Sequence, residues 1–478
     1  MIRIRTLALL LAASSLAACD MAPKYVRTTA DVAPQQWPAG AAYAPAAAGQ
    51  AGLPWRTVFG DAKLQQVISQ ALANNRDLRA AVANIASARA QYRVQRSAQF
   101  PTLAASGGAT ISRTISGSGG TGNLTNPAGA SYSTFSADVG VSAFELDLFG
   151  RQKNLSRAAF EQYLATESGA RSTRLILVAD TASAYATLAA DGELLRVATE
   201  MVGSGQRTVK LTQSLHDVGL VTGSDLADAE TVLAQAQSDV ERYTTQVAQD
   251  RNALNLLVGA AVADALLPAS LDGVDKAVGN VPAGLSSSVL AERPDVVEAE
   301  HRVKSAYASI GAAKAAFFPQ ISLTSAIGVA SSALTSLFTG GVVSWSASPS
   351  VSLPILGGTN RGNLDYAKAQ ADYYQALYEK AIQTAFRDVA DGLARQGTIA
   401  RQRTAQARLV AAANRSYTIA DARYRAGTDS FLTALVAQRT LYSARQAAIS
   451  VQLEDVANRV TLYQAIGSDE SLGSMEVR

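Results

Sequence analysis

The chain is written twice. The stretch Ala98-Gln99-Phe100-Pro101-Thr102-Leu103 recurs as Ala316-Phe317-Phe318-Pro319-Gln320-Ile321. Farther along, a constant separation of 208 residues carries Gly219 to Gly427, Leu233 to Leu441, Ala236 to Ala444, Leu254 to Leu462 and Gly259 to Gly467. Repetition on this scale constrains the fold more than any short motif, because each copy must form the same local structure and bury a matching face. In both copies a Phe-Pro break is followed by two alternating apolar/polar segments and then a very long helical pattern.

Composition fits extended helices better than several globular cores. Aromatics make up only 6% of the 478 residues, so bulky core fillers are scarce. Ala-rich helices packed along their length need few of them, because small side chains let backbones approach. The formal charge is +3, of which Arg3 and Arg5 supply two, and no basic block follows, which argues against a nucleic-acid partner. His216 and His301 have no Cys or carboxylate cluster of metal-ligand spacing near them and read as solvated helix residues; no metal or other cofactor is expected.

Residues 1–18 read as a signal peptide: basic Arg3 and Arg5, the apolar run from Leu7 to Ala13, and Leu16-Ala17-Ala18 before Cys19. The ending resembles the lipobox of bacterial lipoproteins, which implies acylation of Cys19 as the first mature residue. Residues 19–54 then read as an extended, lipid-tethered segment, beginning with Asp20, a residue that in enteric bacteria tends to hold lipoproteins at the inner membrane. The only cysteine is used up, so no disulfide is available.

After the leader no apolar run reaches the ~20 residues that a membrane-spanning helix needs. No proline occurs between Pro127 and Pro268 or after Pro354. Within these windows, helices of about 151–217 and 359–426 are expected, each about 100 Å long at 1.5 Å per residue. Their partners, about 224–258 and 429–466, carry coiled-coil seams: Ala229, Leu233, Ala236, Val240, Tyr243 and Val247, then Ile449, Leu453, Val456, Val460 and Tyr463. Gly219–Gly223 and Gly427 break the patterns once each and pair the helices as antiparallel hairpins.

Four segments alternate as strands: about 102–112, 132–147, 320–330 and 344–354. In the last, Ser344, Ser346, Ser348, Ser350 and Ser352 oppose Trp345, Ala347, Val351 and Leu353, the pattern of a strand between lipid and water. Gly/Ser/Thr-rich loops, Arg113–Ser131 and Ser331–Gly341, join each pair. Four strands cannot close a transmembrane barrel, so copies of the chain must associate. The expected organisation is a first repeat over 55–278, a second over 279–467 with a helix at about 293–317, and a tail over 468–478.

Taken in order, Trp55, Phe59-Gly60-Asp61, Leu64, Ile68, Ala71-Leu72, Asn75, Asp77-Leu78, Ala88-Arg89-Ala90, Phe100-Pro101, Glu292-Arg293-Pro294-Asp295, Ala299-Glu300, Ile310-Gly311, Phe317–Thr324 and Arg423–Gly427 resemble the outer-membrane factors, the TolC-like channel proteins, in their lipoprotein branch serving multidrug efflux. The resemblance implies a mainly α fold with membrane β: a homotrimer with a periplasmic α-barrel and a twelve-stranded transmembrane β-barrel. It implies an outer-membrane duct, not an enzyme, that docks with a periplasmic adaptor protein and a proton-driven inner-membrane pump.

The two hairpin turns match the family's periplasmic tips. The resemblance assigns adaptor contact to Gly219, Leu220, Val221, Gly223, Arg425, Gly427 and Thr428, and a closing latch to Asp225 and Tyr424. This chain departs from the family where the latch arginine's position holds Asp429 and where two aspartates are replaced by Thr433 and Val436; Asp421 and Asp429 are then the candidates for an acidic ring. Two alternatives are the duct of a type I protein-secretion system and, in another class, a periplasmic lipoprotein adaptor or spacer.

Overall fold

The computed structural model describes residues 20–27, 32, 34, 36–43, 54–114, 130–280 and 287–467. The leader, Cys19, most of the Arg113–Ser131 loop and the 468–478 tail lie outside the described residues. The helices are α1 (Trp55–Val58), α2 (Ala62–Asn74), α3 (Arg76–Ser97), α4 (Arg151–Asp217), α5 (Gly223–Val258), α6 (Leu271–Ala277), α7 (Pro294–Ala315), α8 (Gly358–Arg425) and α9 (Phe431–Ile466). The strands are β1 (Leu103–Thr114), β2 (Ala130–Leu146), β3 (Gln320–Ser331) and β4 (Val342–Ser352). Among the described residues no helix is long and apolar enough to cross a membrane.

The chain divides into two compact units that cut across the repeats. One draws its described residues from Met1–Val26, Ser87–Leu164 and Glu300–Ala376; the other comprises Arg27–Ala86, Ala165–Ala299 and Leu377–Arg478. Each takes segments from both copies, because α4 and α8 give their first turns to one unit and the remainder to the other.

In the first unit the strands form one antiparallel sheet in the order β1-β2-β3-β4. β1 and β4 are therefore its edges, with one row of backbone groups each left without a strand partner among the described residues. Between Val141 and Phe144 the β2–β3 register shifts by one residue, and Ala143 sits there at φ 48° with its N–H donated to Thr324 Oγ1 at 3.1 Å. The segment after Cys19 is seated on the same unit. Asp20 accepts from the Ala22 N–H and from Asn154 Nδ2, both at 3.1 Å, and lies 3.5 Å from Arg157. A side chain at Gly311 would meet the Ala22 backbone at 2.8 Å, so this close approach requires glycine. His301 departs from the expectation of a solvated residue. It faces Glu161 at 2.7 Å with only 18% of its side chain exposed, because α7 turns it towards α4.

In the second unit the long helices bury alanines among larger apolar side chains: Ala165, Ala170, Ala179, Ala182, Ala186 and Ala189 on α4 beside Leu175, Val178 and Tyr185, and Ala229 and Ala236 on α5 beside Val232 and Tyr243. Larger side chains collect near α1 and α2, where Trp55, Phe59, Leu64, Ile68 and Leu254 are buried and Phe59 meets Tyr463 edge-on at 5.3 Å.

Matching caps terminate the duplicated helices. Gly219 and Gly427, at φ 77° and 68°, end α4 and α8. After Gly219 the Leu220 N–H donates to the Leu215 carbonyl; after Gly427 the Thr428 N–H donates to the Arg423 carbonyl; each bond is 2.9 Å. Both are Schellman turns, in which glycine takes the left-handed position. Thr222 and Ser430 then cap α5 and α9, and Gly259 and Gly467 end them. Every one of these positions is separated from its counterpart by 208 residues. The α9 helix starts at Phe431, later than the expected 429, because Ser430 is the cap and Asp429 belongs to the turn.

Candidate functional site: the two faces of the sheet and the two helical turns

The register of the sheet lines up the alternating side chains of all four strands. Ala105 pairs with Val139, Val139 with Ile327 and Ile327 with Trp345, and Leu103–Val141 and Val329–Val343 extend the same face. On the opposite face Ser106 pairs with Asp138, Asp138 with Gly328 and Gly328 with Ser344. The Ser322 and Ser350 hydroxyls, also there, are 2.7 Å apart. The apolar face is open: Ile327 is 58% and Trp345 77% exposed. A sheet with one polar face and one bare apolar face fits water on one side and hydrocarbon on the other.

In the second unit each turn is built from short-range bonds. At the first, Thr222 and Asp225 form a capping box: the Thr222 hydroxyl accepts from the Asp225 N–H at 3.2 Å, and the carboxylate accepts from the Thr222 N–H at 2.9 Å. At the second, Ser430 accepts from the Thr433 N–H at 3.3 Å; Thr433 has no carboxylate to return, so the box has one arm. Leu220 is 72% exposed, while Val221 is half-buried rather than fully exposed. Gly223, the first residue of α5, Arg425, the last of α8, and Thr428 are exposed.

The structure does not bring Asp225 and Tyr424 together within the chain. Asp225 is held by its own cap. The Tyr424 hydroxyl lies 3.2 Å from Thr212 Oγ1, where both residues are buried, and its ring packs on Phe431 at 5.4 Å. Asp421 and Asp429 are each matched by a neighbouring cation, Arg425 at 2.9 Å and Arg423 at 3.5 Å. Local pairing therefore offsets the charge expected of an acidic ring.

Thr212–Tyr424 is one rung of a polar ladder between the α4/α5 and α8/α9 hairpins. The others are Ser204–Tyr417 at 3.1 Å, Gln438–Ser204 at 3.0 Å, Tyr442–Asp239 at 2.8 Å, Gln446–Tyr243 at 3.1 Å and Arg445–Glu200 at 3.3 Å. Burial, followed by the Asp239 carboxylate, holds the Tyr442 hydroxyl's pKa far above its ordinary value, so it stays a donor. Between the rungs lies an apolar cluster containing Met201, Ala229, Val232, Ala236, Ala420, Phe431 and Leu435. Reading the helices as simple apolar seams misses this ladder. Its signal was present in Tyr417 and Tyr424, seven residues apart, and in Gln438, Tyr442 and Gln446 at successive steps of four: polar groups recurring on a helical face.

The sequence model described as outer membrane efflux protein matches residues 67–260 and 285–468, most of the chain and both of its repeats. The chain belongs to the outer membrane efflux protein family. Among relatives of that family, it is 44% identical over 468 residues to the toluene efflux pump outer membrane protein TtgC of Pseudomonas putida, covering 96% of this chain and 95% of the relative. It is 39% identical to the outer membrane protein OprJ of Pseudomonas aeruginosa, covering 96% and 94%. Its fold matches the open state of the Neisseria gonorrhoeae MtrE outer membrane channel with a TM-score of 0.82 at 34% identity, over 94% of this chain and 99% of that one.

Proposed function

We propose that this protein is the outer-membrane channel of a tripartite efflux system. Three copies join their four-stranded sheets into a twelve-stranded barrel, and solutes pass outward through it from a periplasmic adaptor and a proton-driven inner-membrane pump. The supporting observation is the register, which puts Val139, Ile327 and Trp345 on one bare face and the serines on the other, in a sheet whose two edges have no partner strand among the described residues. An open edge in lipid would strand several backbone groups at several kcal/mol each, and about eight strands is the smallest barrel that closes.

Acylation of Cys19 would add a tether of roughly 0.8 kcal/mol per buried methylene. The relatives are named for toluene and antibiotic efflux, so small, largely apolar solutes are the expected cargo. Leu220 and the neighbouring turn residues are the surface offered to the adaptor, since a solvated turn gains nothing from a bare leucine.

Deleting the gene should raise intracellular accumulation of a fluorescent efflux substrate and lower solvent tolerance, with restoration by the intact gene. The protein should sediment with outer membranes as a heat-modifiable oligomer. A monomeric, water-soluble product would overturn the proposal.

A further inference from the structure

The strands and the loops between them are almost free of charge. From Thr102 to Leu146 and from Gln320 to Leu356 the sequence holds only Arg113, Asp138 and Glu145. Glu145 is neutralised where β2 meets α4: it accepts from Arg151 Nη2 at 2.9 Å and from Gln152 Nε2 at 2.8 Å. Arg113 belongs by parity to the apolar face with Leu103, Ala105 and Ile111. It pairs with Ser131, seven residues beyond Ser106 and so about 24 Å along β1 from the row that holds Asp138.

Asp138 is therefore the unmatched charge of the polar face. It stands at the centre of β2, with eight residues of the strand on either side, in the row Ser106–Asp138–Gly328–Ser344. Its carboxylate lies across Gly328, where a Cβ would collide with Asp138 Oδ1, so the glycine clears the space that the acid occupies. Among the described residues no cation or hydrogen-bond donor reaches this carboxylate. An ionised group without a partner is tolerated only where water solvates it, which puts the row in a wet interior.

We propose that Asp138 sets the charge preference of the conduit: three copies form a ring of negative charge halfway through the membrane section, which concentrates cationic solutes and turns back anionic ones. This rests on the trimeric channel proposed above. Twelve strands about 4.8 Å apart and tilted about 40° close on a cylinder roughly 24 Å across, so the axis lies about 12 Å from the wall. The Debye length is about 30 Å in 0.01 M salt, about 10 Å in 0.1 M and about 3 Å in 1 M. The ring therefore acts across the whole passage in dilute salt and only along the wall in concentrated salt. At the helical turns Asp421 and Asp429 already have arginine partners; Asp138 has none.

Ser344 is exposed in the same row, two strands and about 10 Å from Asp138, and serves as the probe position. The full-length Ser344→Cys oligomer, purified in uncharged detergent, is treated with two thiosulfonate reagents of equal size, one bearing a trimethylammonium and the other a sulfonate, with the unmodified protein as the blank for Cys19. Adding Asp138→Asn should lower the cationic-to-anionic rate ratio at least twofold in about 10 mM salt, and the difference should vanish in about 1 M salt. Asp138→Lys should reverse the preference, which a merely structural role for the aspartate would not do. A ratio that responds to neither substitution overturns the charge ring and leaves the channel standing. If neither reagent reaches the Ser344→Cys thiol, the serine face does not line a water-filled passage, and the channel reading falls with the ring.

Discussion

Arg459 donates to the main-chain carbonyl of Asp275 at 2.8 Å and also to its carboxylate, so one buried guanidinium both caps the end of α6 and neutralises its aspartate. The same side chain donates to the Val278 carbonyl, while Arg403 reaches Asp275 at 2.6 Å and pairs with Asp455. These bonds fasten α6 to α8 and α9.

Removing one member leaves a buried charge without its partner, so Asp275→Ala should cost on the order of 3 kcal/mol. Thermal unfolding of the detergent-solubilised protein would measure it. Burial alone would raise the Asp275 carboxyl, but hydrogen bonds from Arg403 and Arg459 outweigh it and hold the group below its ordinary value of 3.8. A depressed carboxyl stabilises the fold above the unfolded value and loses that contribution as pH falls through the native one. Below about pH 4, Asp275→Asn should therefore lose less of its remaining stability than the unmodified protein does.

The opposite sign holds at Asp250. Burial, and then the Asp191 carboxylate beside it, push its carboxyl up to about 6. The native state then binds a proton that the unfolded chain has released, so this group weakens the fold as pH rises from about 4 through 6. Melting temperature should rise on acidification from about pH 7.5 to 5.5, and Asp250→Asn should be more stable at the higher pH with a flatter profile. A profile unchanged by the substitution would count against the assignment.

Gly219 and Gly259 share a left-handed backbone but differ in their surroundings. A Cβ at Gly219 meets nothing within 4 Å, whereas one at Gly259 would lie 2.6 Å from the Asn74 carbonyl oxygen. Gly219→Ala should cost only the conformational penalty of about 1 kcal/mol. Gly259→Ala carries the same strain plus a clash with backbone, so its melting temperature should fall clearly further in parallel unfolding measurements.

Much of the fold could be read from local pattern. Serine alternation reports directly on a sheet with two unlike faces, and glycine at a fixed separation reports directly on helix ends, because only a residue free to take positive φ suits a Schellman turn. The partners chosen across long stretches of chain could not be read. Nothing near Tyr424 in sequence says that its hydroxyl meets Thr212 rather than Asp225, and Arg459 finds Asp275 across 184 residues. Such pairings depend on how far each helix is rotated about its axis, which a stripe of apolar residues fixes only to within one neighbouring position. The Thr222–Asp225 box, which engages Asp225 at home, was not among the features read from the sequence.

The irregularity at Ala143 decides where one carboxylate goes. Upstream of it the odd-numbered residues of β2 share the apolar surface; beyond it Phe144 pairs with Leu323 and Leu146 with Ile321, so even numbers take over that role. Glu145 is thereby turned to the Ser322 side, where it can meet Arg151 at the first turn of α4 at 2.9 Å. An unbroken ladder would have aimed that acid into oil, and a single inserted residue spares the protein a charge on its greasy flank.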